Sequence, residues 1–206
     1  MRYLIFLLLL LITSCRAVDT TNATDTTDAP VDIISDLQSH CSSPGTYSDS
    51  DLVTTAHETT HGVNSDLRNK YGKPCFYALN GKVLSLPHEL NTTLSQVAAS
   101  VPEELRGRVF RLYLIEQQSW WQNQPSYILD ELSAYTNGVA CSRQRQVLDH
   151  GETSFAVEFL GYAAVLVKMT GDNDARAIVL HQANRLAKLS DKTTWPAPVL
   201  KVLGEI

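Results

Sequence analysis

Residues 48–69 read Ser48-Asp-Ser-Asp51-Leu-Val-Thr-Thr-Ala-His57-Glu58-Thr-Thr-His61-Gly-Val-Asn-Ser-Asp-Leu-Arg-Asn69. The stretch opens on four residues whose side-chain oxygens can cap a helix N-terminus, and two of them are carboxylates that suit the positive end of the helix dipole. Leu52, Ala56, Val63 and Leu67 keep near-helical spacing, which predicts one helix running to about Asn69. Thr54, Thr55, Thr59 and Thr60 are poor helix formers, so packing or a bound ion has to help hold this helix. Inside it lies the pattern His57-Glu58-x-x-His61. On a helix that spacing sets two imidazoles one turn apart on one face, with a carboxylate beside them.

Outward from this helix the chain divides into further segments. Ile33, Ile34 and Leu37 fall on one side of a short helix over residues 32–38, ended by Ser43-Pro44-Gly45. Residues 75–79 and 82–86, joined by Asn80-Gly81, read as a β-hairpin with a type I′ turn. Such a strand is the best local candidate to pair with an extended substrate. Residues 94–106 predict a helix interrupted by Pro102, and residues 108–118 fit a helix better than a strand. Three clear helices follow, over 125–142, 151–169 and 174–189. The expected fold class is therefore mainly α with a small β element, α+β in type, and no internal repeat is visible.

Two imidazoles on a helix suit a transition-metal cation, and a catalytic zinc needs three protein ligands plus a water. The third is sought in Asp130-Glu131-Leu132-Ser133-Ala134-Tyr135, where Glu131 sits inside the helix expected over 125–142 among apolar neighbours. Asp130 is the rival, but it points about 100° further round the helix. His40 and His181 fall in helical segments and read as structural. Arg68 reads as a partner of Asp66 or of another acid near the helix end.

These residues resemble the gluzincin group of zinc metallopeptidases, in which His-Glu-x-x-His on one helix is completed by a Glu on a later helix. The resemblance rests on residues 57–61 and 130–135, a small part of the chain. It implies a zincin-like metallopeptidase domain with zinc as cofactor, held by His57, His61 and Glu131, and Glu58 as general base. Tyr135 stands where thermolysin-like enzymes carry an Asp that orients a ligand His, and the resemblance gives that duty to its hydroxyl. The related metzincin pattern asks for a Gly and then a His or Asp at positions held here by Asn64 and Leu67, and Asp66 is out of register. For the developing oxyanion the expected donor is Tyr127, with Tyr135, His88 and His150 as rivals.

The N-terminus carries Arg2, an apolar run from Tyr3 to Ile12, and then Thr13-Ser14-Cys15, which is similar to a lipobox. Residues 1–15 are expected to be a signal peptide, with a lipid anchor on Cys15. Residues 16–30, rich in Thr and Asp, form a tether with no apolar periodicity. Residues 31–206 then make one catalytic domain outside the cytoplasm, anchored to the membrane or secreted. Among Cys41, Cys75 and Cys141 at most one disulfide can form. A Cys41–Cys75 bridge and three buried free thiols are equally open. The net charge of −5 and the lack of a Lys/Arg cluster exclude nucleic acid as a partner.

The function expected from these features is zinc-dependent hydrolysis of a peptide or protein substrate. The alternative is a catalytically inactive zincin-fold envelope lipoprotein that serves as a binding module. A third possibility is a helical lipoprotein in which the motif is accidental.

Overall fold

The computed structural model describes residues 31–43, 50–190 and 195–206. The expected signal peptide, the lipid-anchor Cys15, the tether, and parts of the loop before the motif helix lie outside the described residues. The fold is mainly helical with one two-stranded antiparallel sheet. In chain order it contains α1 (Ile33–His40), α2 (Leu52–Tyr71), β1 (Cys75–Tyr77), β2 (Val83–Ser85) and α3 (Leu94–Ser100). A 3-10 turn (Glu103–Leu105), a π-helix (Arg111–Glu116), α4 (Gln118–Trp121), α5 (Tyr127–Arg145), α6 (Glu152–Thr170), α7 (Asn173–Leu189) and α8 (Ala197–Leu203) follow.

The centre of the molecule is α5, which packs against α2, α6, α7 and α1. Every residue from Tyr127 to Ser142 is buried, so this helix has no solvent face, and its polar side chains need partners inside the protein. Most find one. Ser133 donates to the Tyr77 carbonyl at 2.8 Å, Thr136 donates back to Leu132, and Asn137 donates to Thr60 and to the Tyr77 carbonyl, both at 3.1 Å. The exception is Glu131, whose Oε2 is buried with no hydrogen-bond partner.

Helix α2 starts where the sequence predicts, with Asp51 capping Val53 and Gly72 ending the helix in the left-handed region at φ 66°. Its threonines are accommodated by local bonds: Thr55 donates to the Asp51 carbonyl and Thr60 to the Ala56 carbonyl. The face carrying Ala56, His57, Thr60, Val63 and Asn64 is buried. Helix α6 is the one described helix long and apolar enough to cross a membrane, and most of it is enclosed in the fold as core.

One local expectation, the two-residue hairpin turn, needs correction, and two others gain detail. The helix from residue 94 ends at Ser100, and Pro102 opens a separate 3-10 turn because it disfavours helical backbone before it. Residues 108–118 form a π-helix followed by the short α4; the Gln117 N–H reaches back five residues to the Leu112 carbonyl at 3.0 Å. The hairpin forms, but Tyr77 faces Val83, so the loop is Leu79-Asn80-Gly81 and not Asn80-Gly81 alone. All three residues have positive φ.

The extra loop residue has a tertiary cause. The Asp36 carboxylate of α1 accepts the Asn80 N–H and the Tyr77 hydroxyl, both at 2.9 Å, while the Tyr77 oxygen accepts the Gly81 N–H at 2.8 Å. Leu79 is buried beside Leu37 and Val63, which offsets the cost of its left-handed backbone. Cys41, Cys75 and Cys141 are all free and buried, so the Cys41–Cys75 bridge is not made.

Candidate metal centre

His57 and His61 point their Nε2 atoms at each other across 3.2 Å. Glu131 closes the triangle, with Oε2 3.6 Å from His57 Nε2 and Oε1 3.7 Å from His61 Nε2. Two ligand atoms about 2.1 Å from a tetrahedral ion lie about 3.4 Å from each other, so these separations match a donor set gathered round one cation. The buried His57, His61 and Glu131 group can hold a metal ion. A buried carboxylate oxygen without a partner is costly, and a cation between it and the imidazoles would remove that cost.

Electrostatics describe the same crowding. Burial pushes the Glu131 carboxyl above the usual range against the pull of both imidazoles and of a hydrogen bond from Tyr127. Burial and the neighbouring His61 hold His57 well below an ordinary histidine. Burial also works against charge on His61, yet the Glu131 and Asp130 carboxylates raise it.

Each imidazole has a carboxylate behind it. His61 Nδ1 lies 3.2 Å from Asp130 Oδ1, and His57 Nδ1 lies 3.4 Å from Glu152 Oε2. Asp130 is itself held by Asn64 at 2.5 Å and by Arg68 at 3.2 Å, and together with His61 these hold its carboxyl below the usual range despite burial. Such carboxylate partners fix the imidazole tautomer, keeping the Nε2 lone pair free for a metal.

The donor set opens on a cleft of about 390 Å³ whose lining includes Glu58, Ser65, Tyr113, Gln117, Trp121 and Tyr127. Glu58 is exposed there, one residue along the helix from His57. Tyr113, Gln117 and Trp121 recur every fourth residue across the π-helix and α4 and build the opposite wall. The π-helix supplies Tyr113, whose hydroxyl lies 2.6 Å from that of Tyr135. Tyr127 stacks on Trp121 with ring centroids 4.3 Å apart and donates to Gln117 Oε1 at 3.1 Å.

The structure redistributes several expected roles. Glu131 turns inward and Asp130 sits behind His61, so adjacent carboxylates serve different atoms. Tyr135 does not hydrogen-bond a ligand imidazole. Its ring packs edge-on against His57 at 4.3 Å, and Asp130 stands behind His61 in its stead. Arg68 pairs with Asp130, while Asp66 accepts from the Ser42 N–H and hydroxyl. His88 bonds the Glu89 carbonyl, and neither His88 nor His150 lines the cleft. The hairpin is also away from it. The Tyr77 N–H and carbonyl, which face outward from β1, are taken by Asn64, Ser133 and Asn137, so the β1 edge at Tyr77 is already occupied.

Tyr113 and Glu152 escaped the sequence reading. The four-residue spacing of Tyr113, Gln117 and Trp121 is a signal for the first. Nothing local marks Glu152, which reads as an ordinary acidic residue in a first helical turn. Comparison with known protein families, with curated proteins and with solved structures finds no match to this chain.

Proposed function

We propose that this chain is a zinc-dependent metallopeptidase of gluzincin type that hydrolyses peptide bonds outside the cytoplasm. The observation that carries the reading is the triangle of His57, His61 and the partnerless Glu131 oxygen, opening on a cleft where Glu58 is exposed. A metal held for structure alone is closed off by four protein ligands, whereas three ligands facing a cleft with a carboxylate alongside suit hydrolysis. Two imidazoles and one carboxylate are a zinc set of catalytic type, and when bound zinc lowers the pKa of a water and polarises a carbonyl.

The protein residues then divide the remaining work. Glu58 accepts a proton from the attacking water as the new C–O bond forms, and returns it to the amine nitrogen as the C–N bond breaks. Tyr113 donates to the carbonyl oxygen as negative charge develops on it. Proton count favours Tyr113 over Tyr127. The Tyr113 and Tyr135 hydroxyls share one hydrogen bond, so one of their two protons is left over among the described contacts. Tyr135 is buried and Tyr113 lines the cleft, so Tyr135 donates outward to Tyr113 and the Tyr113 proton faces substrate. The Tyr127 hydroxyl is already engaged, with Gln117 Oε1 at 3.1 Å and with the neighbouring Glu131 carboxylate.

The test is zinc stoichiometry and hydrolysis of a broad peptide library by the purified chain and by Glu58→Gln. The variant should retain one zinc and lose hydrolysis. An active Glu58→Gln protein would refute the assigned base. A second reading, an inactive zincin fold acting as a binding module, is favoured by one observation: neither strand of the sheet lines the cleft. Zinc binding without cleavage of any library member would select it.

A further inference from the structure

We propose that Glu152 is the positioning residue of His57, and that Gly138 is the socket which lets it reach there. The proposal rests on the metal reading above, since it concerns how a third helix braces one ligand. Glu152 is the first residue of α6, a place where an acidic side chain ordinarily turns to solvent or to the helix N-terminus. Here those N–H groups are served by Asp149, which accepts from Gly151 at 3.1 Å and from Thr153 at 3.4 Å. Glu152 is thereby released from capping. It turns into the protein, and its side-chain carboxylate is only 13% exposed.

The path it takes is open only because residue 138 has no side chain. A methyl group on Gly138 would collide with Glu152 Oε2, far inside any real contact. Gly138 lies seven residues after Glu131, two turns along the same face of α5. One stripe of α5 thus carries the ligand carboxylate at 131, the Tyr135 ring against the His57 edge, and the gap at 138. His57 is bracketed by Glu131 at Nε2, Tyr135 at its edge and Glu152 at Nδ1. A carboxyl oxygen at Nδ1 accepts the ring N–H there and leaves the Nε2 lone pair toward the metal. For His61 the bracing comes from α5 itself through Asp130; for His57 it comes from α6. Metal held by α2 and α5 is in this way tied to the start of a third helix.

The test uses the full chain with two substitutions, Gly138→Ala and Glu152→Gln, and measures zinc affinity by chelator competition alongside thermal unfolding without metal. Each variant is expected to bind zinc about 10- to 100-fold more weakly, the loss usual for an outer carboxylate. Gly138→Ala should at the same time hold or raise the metal-free Tm, because only the flexible end of Glu152 has to move and alanine favours a helix interior. A merely structural role predicts the opposite pairing, lower Tm with zinc affinity following it, and that result overturns the proposal. Zinc affinity unchanged in Glu152→Gln overturns it as well, whether or not Gly138→Ala folds. A wild-type chain that takes up no zinc overturns the metal reading and this proposal together.

Discussion

Asp130 and Glu131 are adjacent on α5, yet one carboxylate stands 3.2 Å behind His61 at Nδ1 while the other faces Nε2 of the same ring at 3.7 Å. A helix turns about 100° per residue, which carries one side chain to each side of the imidazole. The pair thus brackets His61 and offers one carboxylate to a metal ion. Asp130 in turn is fixed by Asn64 and Arg68 from α2, so the helix that carries His61 also orients the acid that stands behind it.

Replacing Asp130 separates that role from ligation. Asp130→Ala leaves Asn64 and Arg68 without their acceptor and is expected to cost about 1–3 kcal/mol of stability. Zinc affinity should fall about 10- to 100-fold, whereas Glu131→Ala should abolish stoichiometric binding. Zinc titration of the two variants checks this, and the reverse ranking would move the ligand to Asp130.

Glu131 sets function against stability. Its Oε2 is buried without a partner, so Glu131→Gln is expected to leave the metal-free protein equally stable or about 1 kcal/mol more stable. The rise in Tm that zinc produces in the wild type should disappear in the variant. Thermal scans with chelator and with zinc measure both effects, and a large loss of metal-free stability would count against the view that this oxygen is waiting for a cation.

The proton count between the tyrosines gives a kinetic prediction. Tyr113→Phe is expected to lower kcat by about 10²- to 10³-fold with zinc affinity unchanged, the size of effect seen when one oxyanion donor is lost. Tyr135→Phe should have a smaller effect in the same direction, because it only orients the Tyr113 hydroxyl. Steady-state kinetics on a cleaved library peptide decide it; a larger loss from Tyr127→Phe than from Tyr113→Phe would restore Tyr127 as the donor.

Away from the site, His181 of α7 predicts acid sensitivity. Burial first, and then Lys82, Arg185 and Lys188, lower its pKa from 6.5 to about 4, and its Nε2 is buried without a partner. Lys73 and Asp174 line the same groove between α7 and β2. Because the folded pKa is depressed, the unfolded chain binds a proton that the folded chain refuses between those two values. The contribution is fully present above about pH 6.5 and is lost as pH falls towards 4. His181→Gln should flatten the stability profile across that window, as measured by denaturant unfolding at a series of pH values, and parallel profiles would rule the effect out.

Local pattern was enough to identify most of the helices. The 3.6-residue spacing of Leu52, Ala56 and Val63, with Asp51 before them and Gly72 after them, specifies α2 without reference to any other element. Its His-Glu-x-x-His pattern puts two imidazoles on one face for the same reason. The three long helices after residue 125 are equally legible from their apolar content. The C-terminal helix α8, only seven residues long, was not read, because so short a stretch has too little periodicity to stand out.

What the chain alone determined, then, is which segments coil, that His57 and His61 share a face, and that a carboxylate within α5 was the residue to seek. What only the tertiary structure decided is everything that depends on contacts between distant segments: the third residue in the hairpin loop drawn to Asp36, the π-helix that brings Tyr113 to the cleft, the division of labour between Asp130 and Glu131, and the reach of Glu152 past Gly138. Helical periodicity is set by backbone geometry over a few residues and is written locally. The direction of a buried polar side chain is set by which partner can satisfy it, and those partners lie 62 to 95 positions away for the centre described here.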